Sequence, residues 1–431
     1  MSRPHPACLV PRLLRMARIV SEILDNGLPL HRIRVDGTRA TTILIAFDAG
    51  ARAERRDENG MAHFLEHVVF KGGEKYGDHR TISRTAEQLG AAQNAATSHD
   101  LVTFHITVRA EAAPHAIDLV TDFVARPRLD ENDLDKERGV VAQEIARYLD
   151  QPAYIASRMS ALATFGDHPL GRPVLGPVEH LPTFTRAALL AFRQRRWAGC
   201  RGGAFIVGNT DHVSDDGETS DLFERFPKLE EPEPYESAPE FLPRTLVERR
   251  DTNQSHLRMS YRLTYDVADA KARAAARIFA IILGGTPSSR FNDEIREQRG
   301  LCYSISAGVH ASADVATLDL AAGLASANCV EAYTRMREIV GELRALGPTD
   351  EEVARARAVA AGHGVLAFEN TNRVAHFAAH QAIVHHGDLD PDALIADLDA
   401  VSIGEVRDIA SAIDPDNPSV ACLGPHDTEE F

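Results

Sequence analysis

The chain has 431 residues, too many for a single hydrophobic core and enough for two large domains. It is 44% apolar and 26% charged, as a folded globular protein is, and no run approaches the ~20 apolar residues that span a bilayer, which argues against a membrane protein. A formal charge of −16 argues against a general nucleic-acid binder, and five isolated cysteines with no CxxC suit free thiols in a reducing compartment, with the cytoplasm as default.

The opening MSRPHPACLVPRLLRMAR is basic, lacks acids and is broken by Pro4, Pro6 and Pro11. Residues 1–21 therefore read as a disordered or non-native lead, with the true start at Met1 or at Met16. TTILIAFDA, 41–49, reads as a strand, and ARAERRDENG after it as a charged turn. Met61, Phe64, Leu65, Val68 and Val69 recur at helical spacing, stopped by Gly72-Gly73. A second helix is expected over 79–89. LVTFHITVR, 101–109, alternates apolar residues with Thr103, His105 and Thr107, the pattern of a half-buried strand. Helices follow over 112–125 and 131–149.

Residues 215–239 are acidic, proline-bearing and aperiodic, so they read as a linker between an N-terminal domain, 22–214, and a C-terminal domain, 240–431. The second half repeats the first in outline. A strand over 255–265 and a helix over 268–283 lead to Gly284-Gly285, 212 residues after Gly72-Gly73. FIVGN at 205–209 and ACLGP at 421–425 place strand-end glycines 216 apart, and Thr349 with Glu352 and Ser402 with Glu405 read as capping boxes. The expected fold is α+β: two homologous units of mostly antiparallel sheet packed with helices.

His63, Glu66 and His67 stand at i, i+3 and i+4, one face of the helix of 61–70. Two imidazoles there suit a divalent cation such as zinc, and the carboxylate suits a base for a water on it. A third ligand must come from elsewhere. Glu137 and Glu144 share a face of the 131–149 helix, which suits one ligand and one partner that orients a histidine. Val140, Val141 and Ile145 flank Glu144, so its burial without a cation is costly. In the second half, the positions 212 residues on are Ala275, Ile278 and Phe279. The chemistry belongs to the first copy.

HFLEHVVFKG at 63–72 resembles the zinc helix of the pitrilysin, insulin-degrading enzyme and mitochondrial processing peptidase family, whose motif is HxxEH with a distant glutamate ligand. LGAAQNAATSHD at 89–100, FGDHPLGRPVLG at 165–176 and LGGTPSSRFNDEIREQRGLCYSISAG at 283–308 are similar to further family segments. The resemblance implies a zinc endopeptidase with one Zn2+ per chain, ligated by His63, His67 and Glu144, with Glu66 as general base and Glu137 supporting a ligand. It also implies substrate contacts at Asn94 and Ala95, and a catalytic contribution from Arg296 and Tyr303. The expected substrate is an unfolded peptide or leader segment bound as an extended strand. The expected assembly is a homodimer, or a heterodimer with a degenerate homologous subunit. The alternatives are a non-catalytic subunit of the same architecture and a dedicated leader peptidase of a peptide-maturation pathway.

Overall fold

The computed structural model describes residues 17–214, 217–229 and 233–431. The choice between Met1 and Met16 lies outside them. Among the described residues, strands β1 (Ala17–Ile23), β2 (Pro29–Val35), β3 (Ala40–Phe47), β4 (Ala92–Thr97), β5 (Val102–Arg109) and β6 (Gly202–Gly208) form one sheet, ordered β1-β2-β6-β3-β5-β4. Strands β7 (Thr245–Arg249), β8 (Gln254–Leu263), β9 (Cys302–Ala311), β10 (Ala316–Ala325) and β11 (Ser419–Gly424) form a second, ordered β7-β11-β8-β10-β9. Without β1, the two orders are the same. Each has one parallel pair, β2 with β6 and β7 with β11, and is otherwise antiparallel. The duplicated α+β architecture is therefore visible in the topology itself.

In the first half the helices are α1 (Met61–Val69), α2 (His79–Gln88), α3 (Ala113–Ala125), α4 (Glu131–Leu149), α5 (Pro152–Phe165), α6 (Arg186–Arg196) and α7 (Glu218–Phe223). In the second they are α8 (Ala270–Ala280), α9 (Cys329–Leu346), α10 (Asp350–Phe368), α11 (Thr371–His380), α12 (Pro391–Ala400) and α13 (Ile403–Ser411). Capping boxes at Thr349 and Ser402 start α10 and α13.

β3 is apolar from Ile43 to Phe47 because both of its faces are covered there. Ile43, Ile45 and Phe47 join the core beneath α1 and α3, while Leu44 and Ala46 join a second cluster with Val374, Ala375 and Ala378 of α11. A helix of the second half thus covers the first sheet. The converse also holds: Ile155 and Ala156 of α5 pack on Leu423 of β11, and Ser160 Oγ lies 3.1 Å from Ser260 Oγ of β8. The exchanged helices hold corresponding places, each the third α-helix after its half's β5 or β10 strand.

Several expectations change. Residues 17–21, read as lead, belong to β1, paired antiparallel with β2. The described residues of 215–239 are not a free linker: α7 forms among them and buries Phe223, while Asn26 Nδ2 donates to the Phe223 and Phe226 carbonyls at 3.0 and 3.2 Å. The helix expected to end at 283 runs on through Gly284 and Gly285 as a π-helical turn, Ile281–Gly285, and ends there. The domains 22–214 and 240–431 each lend a helix to the other, so neither sheet is covered by its own half alone. The polar face of β5 meets α11 rather than water: His105 Nε2 lies 2.9 Å from Asn372 Nδ2, and Thr107 Oγ1 reaches Thr371 through Thr42 Oγ1 in two 2.8 Å steps.

Candidate metallopeptidase active site

α1 carries the site, and its start is fixed from outside the helix. A helix leaves its first backbone N–H groups unpaired. Here the buried Glu54 carboxylate accepts from Ala62 N at 2.7 Å, Gly60 N at 2.9 Å and Asn59 Nδ2 at 3.0 Å. Burial raises the Glu54 pKa to about 8 in spite of those three bonds. Gly60 and Gly176 meet backbone to backbone: a Cβ on Gly176 would stand 2.3 Å from Asn59 O, and both have positive φ. The segment 165–176 therefore buttresses the start of α1.

From that position, the rings of His63 and His67 lie 4.6 Å apart between centroids. α4 supplies Glu144, whose Oε2 stands 3.4 Å from His67 Nε2 and 3.8 Å from His63 Nε2. Ligands about 2.1 Å from a tetrahedral zinc stand about 3.4 Å apart, so these atoms fit one ion. Glu137, two turns earlier on the same face of α4, orients the second ring. Its Oε1 lies 3.0 Å from His67 Nδ1 and its Oε2 2.5 Å from Lys71 Nζ, which leaves His67 Nε2 turned toward Glu144.

The electrostatics suit a cation. Burial, helped by the neighbouring His67, depresses the His63 pKa to about 4, so this imidazole is neutral and its lone pair is available. For His67, burial also lowers the pKa, but the bond to Glu137 and the charges of Glu66, Glu137 and Glu144 outweigh it and raise the value. Glu137 is buried, which raises its pKa, yet His67 and Lys71 outweigh burial and keep it a carboxylate. Glu66 moves the other way: burial raises its pKa against the opposing bond from Thr97 Oγ1 at 2.5 Å. A carboxylate with a raised pKa is suited to taking a proton near neutrality.

The apolar neighbours of Glu144 in the sequence do not bury it. Glu144 is only half-buried and Val140 is 49% exposed, because α4 turns Val140 away from α1. Glu137 is the buried carboxylate of the pair. Asn94 and Ala95 lie on β4, the edge strand beside α1, with Asn94 exposed and Ala95 half-buried. Thr97 of the same strand holds Glu66, a link that sequence reasoning missed, as it missed Glu54. An acid just ahead of a helix start was the available signal for Glu54.

Among the described residues, no hydrogen bond or ion pair joins Arg296 or Tyr303 to this site. Arg296 pairs with its neighbour Glu297 at 3.4 Å, and Tyr303 is the second residue of the edge strand β9 of the second sheet. Tyr303 is 85% exposed, so it is not a core residue.

Residues 33–178 match the family model for insulinase, peptidase family M16, and residues 183–359 match that for the peptidase M16 inactive domain. The chain belongs to peptidase family M16. An uncharacterized zinc protease of Streptomyces coelicolor is 29% identical over 409 residues, 93% of this chain and 88% of that one. The uncharacterized zinc protease YmxG of Bacillus subtilis is 27% identical over 408 residues, 93% and 97%. A crystal structure of a peptidase M16 inactive domain from Pseudomonas fluorescens covers 95% of this chain and 99% of its own with a TM-score of 0.87, at 17% identity. A protease from Helicobacter pylori gives 0.83 at 19% identity, over 94% and 99%. These structures carry the M16 fold. The M16 inactive-domain match agrees with the second half, where Ala275, Ile278 and Phe279 replace the metal-site residues inside a core helix. Among the described residues, no helix is long and apolar enough to cross a membrane.

Proposed function

We propose that this protein is a zinc endopeptidase that hydrolyses unfolded peptides or leader segments. The observation that carries the reading is the approach of His63 Nε2, His67 Nε2 and Glu144 Oε2 to within 4.8 Å of one another, with Glu66 beside them. One zinc per chain is held there. When bound, it supplies Lewis-acid polarisation of a carbonyl and acidifies a water. Glu66 takes the proton of the attacking water and delivers it to the leaving amine. Thr97 holds that carboxylate in place, and Glu137 holds His67.

The substrate lies along β4. As the outer strand of its sheet it offers unpaired main-chain groups, and its small residues, AQNAAT, leave room for an extended chain. Pairing of this kind selects for extension more than for sequence, which favours unstructured peptides. Arg296 and Tyr303 act from a second copy of the chain: Tyr303 projects from β9, the counterpart of β4 in the other half, where a partner's site is accessible to it. Its hydroxyl donates to the developing oxyanion. In this reading the working unit is a homodimer.

The test is digestion of an unstructured peptide by the wild type and by Glu66→Gln, with metal analysis of both. About one zinc at this site in each protein, with cleavage lost in the variant, is the expected result. Equal cleavage by the two removes Glu66 as the base. A Tyr303→Phe chain is expected to keep its zinc and lose turnover, and mixing it with Glu66→Gln chains is expected to restore part of that turnover through mixed dimers. No restoration from the mixture removes the two-copy site.

A further inference from the structure

A second group of metal-ligating side chains comes together in the other half of the molecule. Cys329 opens α9, Cys422 lies in β11, and His426 follows that strand. All three are buried, and one ligand atom from each lies within 4.8 Å of the others. The cysteines are 93 residues apart in the chain, so no spacing motif marks them. We propose that Cys329, Cys422 and His426 form a structural site for a thiophilic divalent cation such as zinc, separate from the His63, His67 and Glu144 centre.

The geometry carries the proposal. The two sulfurs are 3.8 Å apart. Thiolates about 2.3 Å from a tetrahedral zinc are separated by about 3.8 Å, whereas a disulfide requires about 2.05 Å. The imidazole is held by oxygens on both sides: His426 Nδ1 lies 3.1 Å from Glu430 Oε2, and Nε2 lies 2.8 Å from Ser255 Oγ. One ring nitrogen turns to the cation while the other keeps its oxygen, the support that ligating histidines commonly have. The displaced oxygen, from Ser255 or Glu430, takes the fourth position. Glu430 is partly exposed, which gives the ion a path in.

The charge balance is favourable. Binding a divalent cation releases both thiol protons to solvent and leaves two thiolates around a 2+ ion. With the Ser255 hydroxyl in the fourth position the unit carries no net charge, so its burial in the apolar core of the second half is tolerated. Cys329 also stands at the N-terminal end of a helix of 18 residues, where a thiolate is favoured.

The site ties three pieces together. α9, β11 and the turn after β11 otherwise meet through Tyr333, whose hydroxyl donates to Phe431 O at 2.6 Å, and through the His426 and Phe431 rings. A shared ion would fix the final turn onto the second core.

Cobalt substitution of the full chain tests this without relying on activity. The first-half centre has no sulfur, so a near-ultraviolet thiolate-to-cobalt charge-transfer band reports only Cys329 and Cys422. The expected result is that band in the wild type, with about two metal equivalents per chain. Cys422→Ser is expected to abolish the band and one equivalent, and His426→Ala to weaken both. If Cys422→Ser fails to fold, the wild-type spectrum still decides. A folded wild type without the band, or recovery of Cys329 and Cys422 as a disulfide, overturns the proposal. The band does not depend on His63 or Glu66, so failure of the peptidase reading would be seen separately.

Discussion

Glu137 shows how much one buried carboxylate can determine. It accepts from both His67 and Lys71, and the first of these bonds fixes the direction of the His67 ring. Replacing it with glutamine weakens the hold on the His67 ring and leaves the Lys71 charge without its carboxylate. Glu137→Gln is expected to lower zinc affinity about 10- to 100-fold while the fold stays intact. Competition with a metal chelator measures this, and unchanged affinity would reduce Glu137 to a packing residue. At the same scale, Glu66 and Glu144 are both carboxylates near the same imidazoles, yet their surroundings separate them. Glu66 is held by Thr97, whereas Glu144 stands against both imidazoles.

At the scale of elements, α1 depends on a residue outside it. Glu54 pairs with the backbone N–H groups of Gly60 and Ala62, so Glu54→Ala is expected to cost about 1–3 kcal/mol for each orphaned donor. The loss should appear as a lower urea midpoint together with weaker metal binding, since α1 presents both histidines. A lower midpoint with unaltered metal affinity would separate the cap from the site. The pH dependence follows from the sign of the shift. Between the ordinary value of 4.5 and about 8, folded Glu54 keeps a proton that the unfolded chain has lost. The stability of the wild type relative to Glu54→Gln should therefore fall as pH rises through that window. Denaturation midpoints of both proteins across the window measure the difference; a constant difference would mean that Glu54 is ionised throughout.

The whole molecule is held together by exchanged helices. α11 covers Leu44, Ala46, Phe205 and Val207 of the first sheet, all fully buried, and α5 covers β8 and β11 of the second. A chain ended at residue 240 would therefore uncover one sheet face and leave α5 without the sheet it covers. Such a fragment is expected to bind a hydrophobic dye and to lose amide protection in β3 and β6, and co-expression with the remaining half is expected to restore both. Native-like protection in the isolated fragment would show that the halves fold independently. The pairing also places polar groups. Thr42, Thr107 and His105, which would be a wetted face in a one-sided sheet, meet Thr371, Asn372 and His376 across the junction.

The site's central residues could be read locally because a helix puts i, i+3 and i+4 on one face wherever it occurs. That rule placed His63, Glu66 and His67 together, and the two-turn spacing did the same for Glu137 and Glu144. The duplication could be read too, since strands, helices and glycines recur at nearly constant offsets. Only the tertiary structure decided that Glu137 is the buried glutamate and that Glu54 and Thr97 fix the helix and the base. It also brought Cys329 to Cys422 and exchanged α5 with α11. The physical reason is that a hydrophobic pattern states which face of an element leaves water, whereas the partner that covers the face is chosen by packing among segments distant in the chain.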